Sequence, residues 1–266
     1  MAADEPYSPG TGATVAAALV TGAGKRIGRA IALSLGRHGW KVAVHYHGSQ
    51  AAADEVVGEI RSAGGQAVAL HADLSREEEV LRLIPTAERA LGPVTLLVNN
   101  ASVFEMDKIE TVTRDSWDRH IETGLRAPLV LIQEMARRLP VEAKGNVINM
   151  LDERVWALTP YFLSYTVAKA GLWTLTRTLA LGLAPRIRVN GIGPGPTLPS
   201  PRQTDEQFRE QWRRMPLRRG TTPEEIACAV EFILTAPAMT GQMIALDGGQ
   251  HLGWVVPPPP RIEPDE

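Results

Sequence analysis

Along the chain, short runs of Val, Ala, Leu and Ile alternate with longer stretches in which apolar residues recur every three or four positions. The runs VAAALVTG (15–22), KVAVHY (41–46), QAVALHADL (66–74), VTLLVNNAS (94–102), GNVINML (145–151), IRVNGIGPG (187–195) and GQMIALDGG (241–249) read as buried strands. Stretches 26–38, 50–63, 76–91, 115–139, 165–184 and 223–235 carry helical spacing. Strands rich in apolar residues along their whole length, separated by amphipathic helices, predict an α/β fold whose parallel sheet is covered on both faces. Right-handed crossovers then make it doubly wound.

The rhythm fails in three places. Residues 1–13 are rich in Pro, Gly and acid, and VVPPPPRIEPDE after 254 cannot extend a sheet because proline lacks the donor; tails are expected at 1–13 and 253–266, around one domain at 14–252. The third place is internal, GPGPTLPSPRQTDEQFREQWRRMPLRRG (193–220), proline-broken and too long for an ordinary connection; it is expected to be a substrate lid loop. Composition narrows the picture further. With 28 Lys plus Arg against 30 Asp plus Glu, the net charge of −2 advertises neither nucleic acid nor an anionic membrane as a partner. Cys228 stands alone, which leaves no disulfide framework and no cysteine-built metal cluster, so no metal is assigned. No basic and apolar leader opens the chain, and no apolar run approaches the roughly 18 residues of a membrane span; a soluble cytoplasmic protein is expected.

In an open parallel sheet, ligands bind beyond the carboxyl ends of the strands, so the residues just after each run are the places to seek chemistry. After the first run, Gly22, Lys25, Arg26, Ile27 and Gly28 belong to a glycine turn that feeds a helix, whose free N–H groups and dipole favour a pyrophosphate. After the second, Tyr46, His47 and Ser49 offer no carboxylate for a ribose 2′-hydroxyl. Its absence beside Lys25 and Arg26 favours NADP over NAD. Later, Tyr165 and Lys169 stand four residues apart, one turn on the same helix face. An ammonium there is expected to stabilise a phenolate and draw the tyrosine towards neutrality, for proton exchange beside a nicotinamide.

Taken together, the glycine turn, Asp73-Leu74, Asn99-Asn100-Ala101, Tyr165-x-x-x-Lys169 and Pro194-Gly195, in this order and spacing, resemble the short-chain dehydrogenase/reductase family over residues 14 to 252. The resemblance implies a single Rossmann-type domain with a seven-stranded parallel sheet, a nicotinamide cofactor, and a homotetramer or dimer. It places Asp73 and Leu74 at the adenine and Asn100 and Ala101, with Ser102 following, at the adenosine ribose. Lys169 falls at the nicotinamide ribose, and Pro194, Gly195 and Thr197 near the carboxamide and pyrophosphate.

Two departures sharpen it. Where most members carry a serine 13 residues before the tyrosine, this chain has Asp152, and where they carry an asparagine in the preceding helix it has Gly124. A carboxylate cannot donate a hydrogen bond to a ketone unless protonated. TGAGKRIG with Arg26, HYHGS (45–49), NNASVF (99–104) and Asp152 resemble the pteridine and dihydromonapterin reductase branch. That likeness implies NADP(H) and a pterin-like small molecule, with Phe104 stacking on it, Ser102 and Arg26 on its polar edge, Phe162 lining the site, and Asp152 with Tyr165 delivering the proton. Asp152 as a turn cap or partner of Arg154, and Phe104 as a loop anchor, stay open. So do two other functions, a carbonyl or alcohol oxidoreductase of unassigned substrate and a catalytically silent NADPH-binding regulator.

Overall fold

The computed structural model describes residues 16–200 and 203–253, so the expected tail at 1–13 and all but Gly253 of the one at 253–266 lie outside the described residues. Its strands are β1 (Ala17–Val20), β2 (Lys41–Tyr46), β3 (Ala67–His71), β4 (Val94–Asn99), β5 (Gly145–Met150), β6 (Ile187–Pro194) and β7 (Met243–Leu246). They form one seven-stranded sheet in the order β3-β2-β1-β4-β5-β6-β7, every pairing parallel. The order reverses between β1 and β4, which is where a doubly wound sheet opens its ligand crevice. Helices α1 (Arg26–Arg37), α2 (Gln50–Ser62), α3 (Glu77–Leu91), α4 (Arg114–Ile121), α5 (Ala127–Arg138), α6 (Leu163–Leu183), α7 (Asp205–Arg213) and α8 (Pro223–Thr235) make the crossovers and one insertion.

Strand side chains alternate between the two faces, so an apolar run feeds two cores at once. Ala18, Val20, Val42, Val44, Leu96 and Val98 pack with Ile31 and Leu35 of α1, Val56 and Ile60 of α2, and Ile226, Val230 and Ile233 of α8. Their neighbours Leu19, Ala43, Leu97, Val147 and Val189 pack on the other face with Leu83 and Ile84 of α3 and Val130, Leu131 and Met135 of α5. Both layers are buried, and the edge between them at the carboxyl ends of the strands is left for the loops.

Two elements differ from expectation. The helix expected over 115–139 is interrupted by a π-helical turn, Glu122–Arg126, that contains Gly124. A β-carbon on Gly124 would lie 3.3 Å from Ala168 Cβ, so the turn brings this helix hard against α6. The segment 193–220 is not loop throughout: it holds α7, started by a Thr204–Gln207 capping box that lay unread between the prolines. Among the described residues, no helix is long and apolar enough to cross a membrane.

Candidate active site

Every described carboxyl end from β1 to β6 contributes. Gly22 has φ +62, a left-handed conformation, and a side chain there would press on Ala101 Cα at 3.0 Å. His45, the last residue but one of β2, pins this turn: its Nδ1 accepts from Gly22 N at 3.0 Å and its Nε2 lies 3.1 Å from the Ala72 carbonyl. A carbonyl only accepts, so Nε2 carries the hydrogen and the ring is neutral. Burial enforces this, lowering the His45 pKa to about 4. Sequence reasoning passed His45 over as an ordinary strand-end residue, since nothing local distinguishes it from His47.

Asn100 closes the same edge. Its Nδ2 donates to the carbonyls of Thr21 (2.8 Å) and Gly22 (3.2 Å), while Thr21 Oγ1 accepts from the amides of Asn100 and Ala101 at 2.9 Å. Beyond this clamp, α1 and α2 start with no capping side-chain bond and no acidic residue in the first turn. Their first amides have no intrahelical acceptor, and the positive ends of both dipoles stand at the carboxyl edge. That donor set fits the phosphates of a dinucleotide. Gly22, Lys25, Arg26, Ile27 and Gly28 belong to the turn and the start of α1, and Tyr46, His47, Ser49, Asp73 and Leu74 lie at or just after the ends of β2 and β3. Asp73 is tied to Ser75 through both its amide and hydroxyl, 2.9 and 2.7 Å, and His47 Nε2 lies 3.9 Å from Asp73 Oδ2.

Arg26 does something the sequence did not show. At φ 54 it is one of three non-glycine residues in the left-handed region among the described residues, and its guanidinium donates to the carbonyls of Pro199 and Leu198 at 3.0 and 3.1 Å. The glycine turn is thereby strapped to the segment that follows Pro194, the last residue of β6, and carries Gly195 and Thr197. Trp212 Nε1 donates to Pro196 O at 2.8 Å, so α7 braces the same strap.

Opposite the turn, Tyr165 Oη donates to Asp152 Oδ2 at 2.8 Å. Tyr165, Asp152 and Lys169 are all buried, at 6%, 8% and 3% exposure, which leaves water little access to the pair. Burial first, then the charge and hydrogen bonding of Asp152, raise the Tyr165 pKa well above its ordinary value. This corrects the expectation of a lysine-tuned phenolate. Lys169 Nζ donates to Met150 O at 2.7 Å and lies 5.6 Å from the tyrosine ring centre, and its own pKa is lowered by burial to about 8. Here the carboxylate, not the ammonium, is the near neighbour of the phenol.

Asp152 also realises the quieter role left open for it. Its Oδ1 accepts from Arg154 N (2.9 Å) and Arg154 Nη1 (3.0 Å), capping the short 3-10 turn Glu153–Val155. The Arg154 guanidinium then reaches over the rings of Phe104 (5.6 Å) and Phe162 (5.2 Å). These two rings stack at 4.4 Å and 7°, and Phe104 meets Tyr165 edge-on at 4.9 Å. Ser102, beside them, is exposed, its hydroxyl on Val103 O at 3.2 Å. Arg154 and its neighbour Glu153, which burial and the Asp152 charge push up to about 7, were missed as site residues. Their only signal was adjacency to Asp152.

A family profile described as Enoyl-(Acyl carrier protein) reductase matches residues 22–251, and the chain belongs to the short-chain dehydrogenase/reductase family. Among curated relatives, the 3-oxoacyl-[acyl-carrier-protein] reductase of Synechocystis sp. is 33% identical over 90% of this chain and 98% of that protein. Glucose 1-dehydrogenase 2 of Bacillus subtilis is 33% identical over 92% and 97%. Among solved structures, FolM alternative dihydrofolate reductase 1 of Brucella suis, in complex with NADP, is 46% identical with a TM-score of 0.88, covering 91% of this chain and 97% of that one. The Brucella canis protein of the same description, also complexed with NADP, is 45% identical with the same score over 94% and 98%.

Proposed function

We propose that this oxidoreductase uses NADPH to reduce a dihydropterin or a closely related dihydropteridine. The observation that carries the reading is the Tyr165–Asp152 hydrogen bond walled by two aromatic rings. Reduction of a ring C=N bond places a hydride on carbon and a proton on the adjacent nitrogen, and a flat heteroaromatic needs stacking surface with a proton donor at its edge. When bound, the nicotinamide supplies the hydride. Tyr165, neutral far above pH 7, keeps a proton to give, and Asp152 orients the hydroxyl and accepts its hydrogen bond in the resting site. Glu153, next to Asp152 and with its pKa pushed up to about 7 by burial and the Asp152 charge, is the group we assign to resupply the proton. Phe104 and Phe162 supply the stacking surface, Ser102 and Arg26 the polar edge. The names of the Brucella structures support a pterin or folate substrate; the curated relatives at 33% identity support an acyl-carrier or carbonyl substrate instead.

The second reading, a carbonyl reductase, separates from the first at Asp152. Asp152→Ser abolishes pterin turnover if the carboxylate is needed, and preserves or improves ketone turnover if it is not. The direct test follows NADPH absorbance with 7,8-dihydrobiopterin and dihydrofolate, NADH being the paired control. Oxidation of NADPH much faster than NADH supports the proposal. Tight NADPH binding without oxidation over pterins, ketones and quinones would move the assignment to a silent binder. In keeping with the family resemblance, we propose a homotetramer working in the cytoplasm, which light scattering and fractionation test.

A further inference from the structure

We propose that Asp107 is a positioning residue for Tyr165, acting as a borrowed N-cap for α6 through a buried cluster with Ser164 and His120. The helix that carries Tyr165 cannot start itself. Its N-cap residue, Phe162, sits in the left-handed region at φ 59 and ψ 45, makes no capping bond, and no acidic residue follows in the first turn. The missing acceptors come from 57 residues earlier in the chain. Asp107 O accepts from Leu163 N at 3.3 Å, Asp107 Oδ1 from Ser164 N at 3.1 Å, and Asp107 Oδ2 from the hydroxyls of Ser164 and, at 3.3 Å, Ser116.

His120 backs the arrangement. Its Nδ1 lies 2.8 Å from Ser116 O and 2.7 Å from Ser164 Oγ, so it carries the hydrogen, and its Nε2 accepts from Glu105 N at 3.3 Å. The ring is neutral and meets Tyr165 edge-on at 6.1 Å. Despite the residue types, this is not a nucleophile with its base: Ser164 donates to the aspartate, the histidine donates to the serine, and the serine is wholly buried. Burial opposes the charge on Asp107, but its three bonds from Ser164 and Ser116 outweigh that and hold the carboxyl below its ordinary value. Asp107 and His120, at 3% and 2% exposure, join α4, the Phe104 loop and the first turn of α6. Tyr165 is the next residue after the one they grip. A small shift of that turn moves the phenol against a fixed Asp152, and misplacement of about 1 Å at a reacting group costs of order 100-fold in rate.

The inference rests on Tyr165 as proton donor, not on pterin as substrate. Its test compares full-length Asp107→Ala, Asp107→Asn and Ser164→Ala with the parent for kcat at saturating NADPH, NADP+ affinity, and amide exchange in the peptide 162–169. Asp107→Ala is expected to lose about 100-fold in kcat, exchange faster in that peptide alone, and keep NADP+ affinity within about twofold. Asp107→Asn keeps one oxygen for Ser164 N and falls between, and Ser164→Ala, which retains its backbone bond to Asp107, stays within about threefold. Unchanged kcat and exchange in both Asp107 variants would overturn the proposal, as would loss of NADP+ binding together with protection throughout the molecule in the isosteric Asn variant. Should the parent reduce no pterin, kcat is read on whichever carbonyl substrate it turns over, and that result counts against the pterin assignment only. A parent that turns over no substrate at all removes Tyr165 as proton donor and overturns the inference with it.

Discussion

Helices α1 and α8 lie side by side on one face of the sheet, burying Ile31 and Leu35 of one against Ile226 and Val230 of the other, yet they begin in opposite ways. At α8 the Thr222 hydroxyl accepts from Glu225 N, the Glu225 carboxylate accepts from Thr222 N, and Pro223 starts the helix where an N–H would be idle. At α1, Lys25 is extended, offers no acceptor, and is followed by a positive-φ arginine. The difference is one of destination for the same four orphan donors. Helices α4 and α7 behave like α8, each closing its own capping box with a threonine. Helices α1 and α2 leave their donors open at the strand switch point, and α6 obtains its acceptors from Asp107 in a distant loop. Local closure marks scaffold; open or borrowed ends mark the site.

The comparison can be broken most sharply at the reacting group. Tyr165→Phe removes the proton donor but no capping group, so turnover should fall by about 1000-fold, within the usual range for a general acid, while NADP+ affinity measured by fluorescence changes less than about twofold. A comparable fall in both would show that the phenol serves the fold. Next in size is Gly28→Ala at the open end of α1. The new β-carbon would stand 2.3 Å from Gly22 O and 2.5 Å from Asn100 Nδ2, contacts no side chain can keep. NADP+ binding should weaken by about 100-fold, since the turn must shift to relieve an overlap costing about 1–3 kcal/mol; an unchanged titration would detach α1 from the cofactor.

Acid probes the same turn without mutation. His45 is neutral in the fold with a pKa near 4 against 6.5 when unfolded, so the unfolded chain takes up its proton first as pH falls. Stability attributable to this group is complete above about pH 6.5 and is lost towards pH 4, by about 3 kcal/mol in all. Protonation also gives Nδ1 a hydrogen where Gly22 N needs an acceptor, so NADP+ affinity should drop as pH falls through about 4, the folded value. Urea unfolding at pH 7 and 4.5 checks the first and NADP+ titrations carried from pH 7 to below 4 check the second, and flat profiles would mean that His45 does not hold the turn. The smallest effect belongs to the scaffold. Thr222→Ala should cost about 1 kcal/mol, or about 2–4 °C in Tm for a domain of this size, with kcat and NADP+ affinity unchanged; a drop in either would blur the distinction between the two kinds of helix start.

Most of the fold was legible because it rests on local periodicity. The seven runs became the seven strands, and the glycine turn at 22–28 announced itself by spacing. Asp152, Tyr165 and Phe104 were legible as residues, and the structure brings them within contact of one another. Their electrostatics were not. The four-residue spacing of Tyr165 and Lys169 suggested an ammonium-tuned phenol, but spacing cannot say which of two buried neighbours lies nearer the hydroxyl, and Asp152 does. The interruption of the helix at Gly124 was hidden for a similar reason, since its hydrophobic periodicity survives a single π turn.

By itself, then, the chain determined which segments are strands and helices, that the sheet is parallel and covered on both faces, and which residue types gather at its carboxyl edge, because all of these depend on neighbours a few positions apart. Only the tertiary structure decided that His45 is neutral beneath the glycine turn, that Arg26 straps that turn to Leu198 and Pro199, and that Asp107 starts the helix of Tyr165. Each of those facts is a hydrogen bond between segments 23 to 173 residues apart, fixed by how the sheet stacks its crossovers rather than by any pattern along the chain.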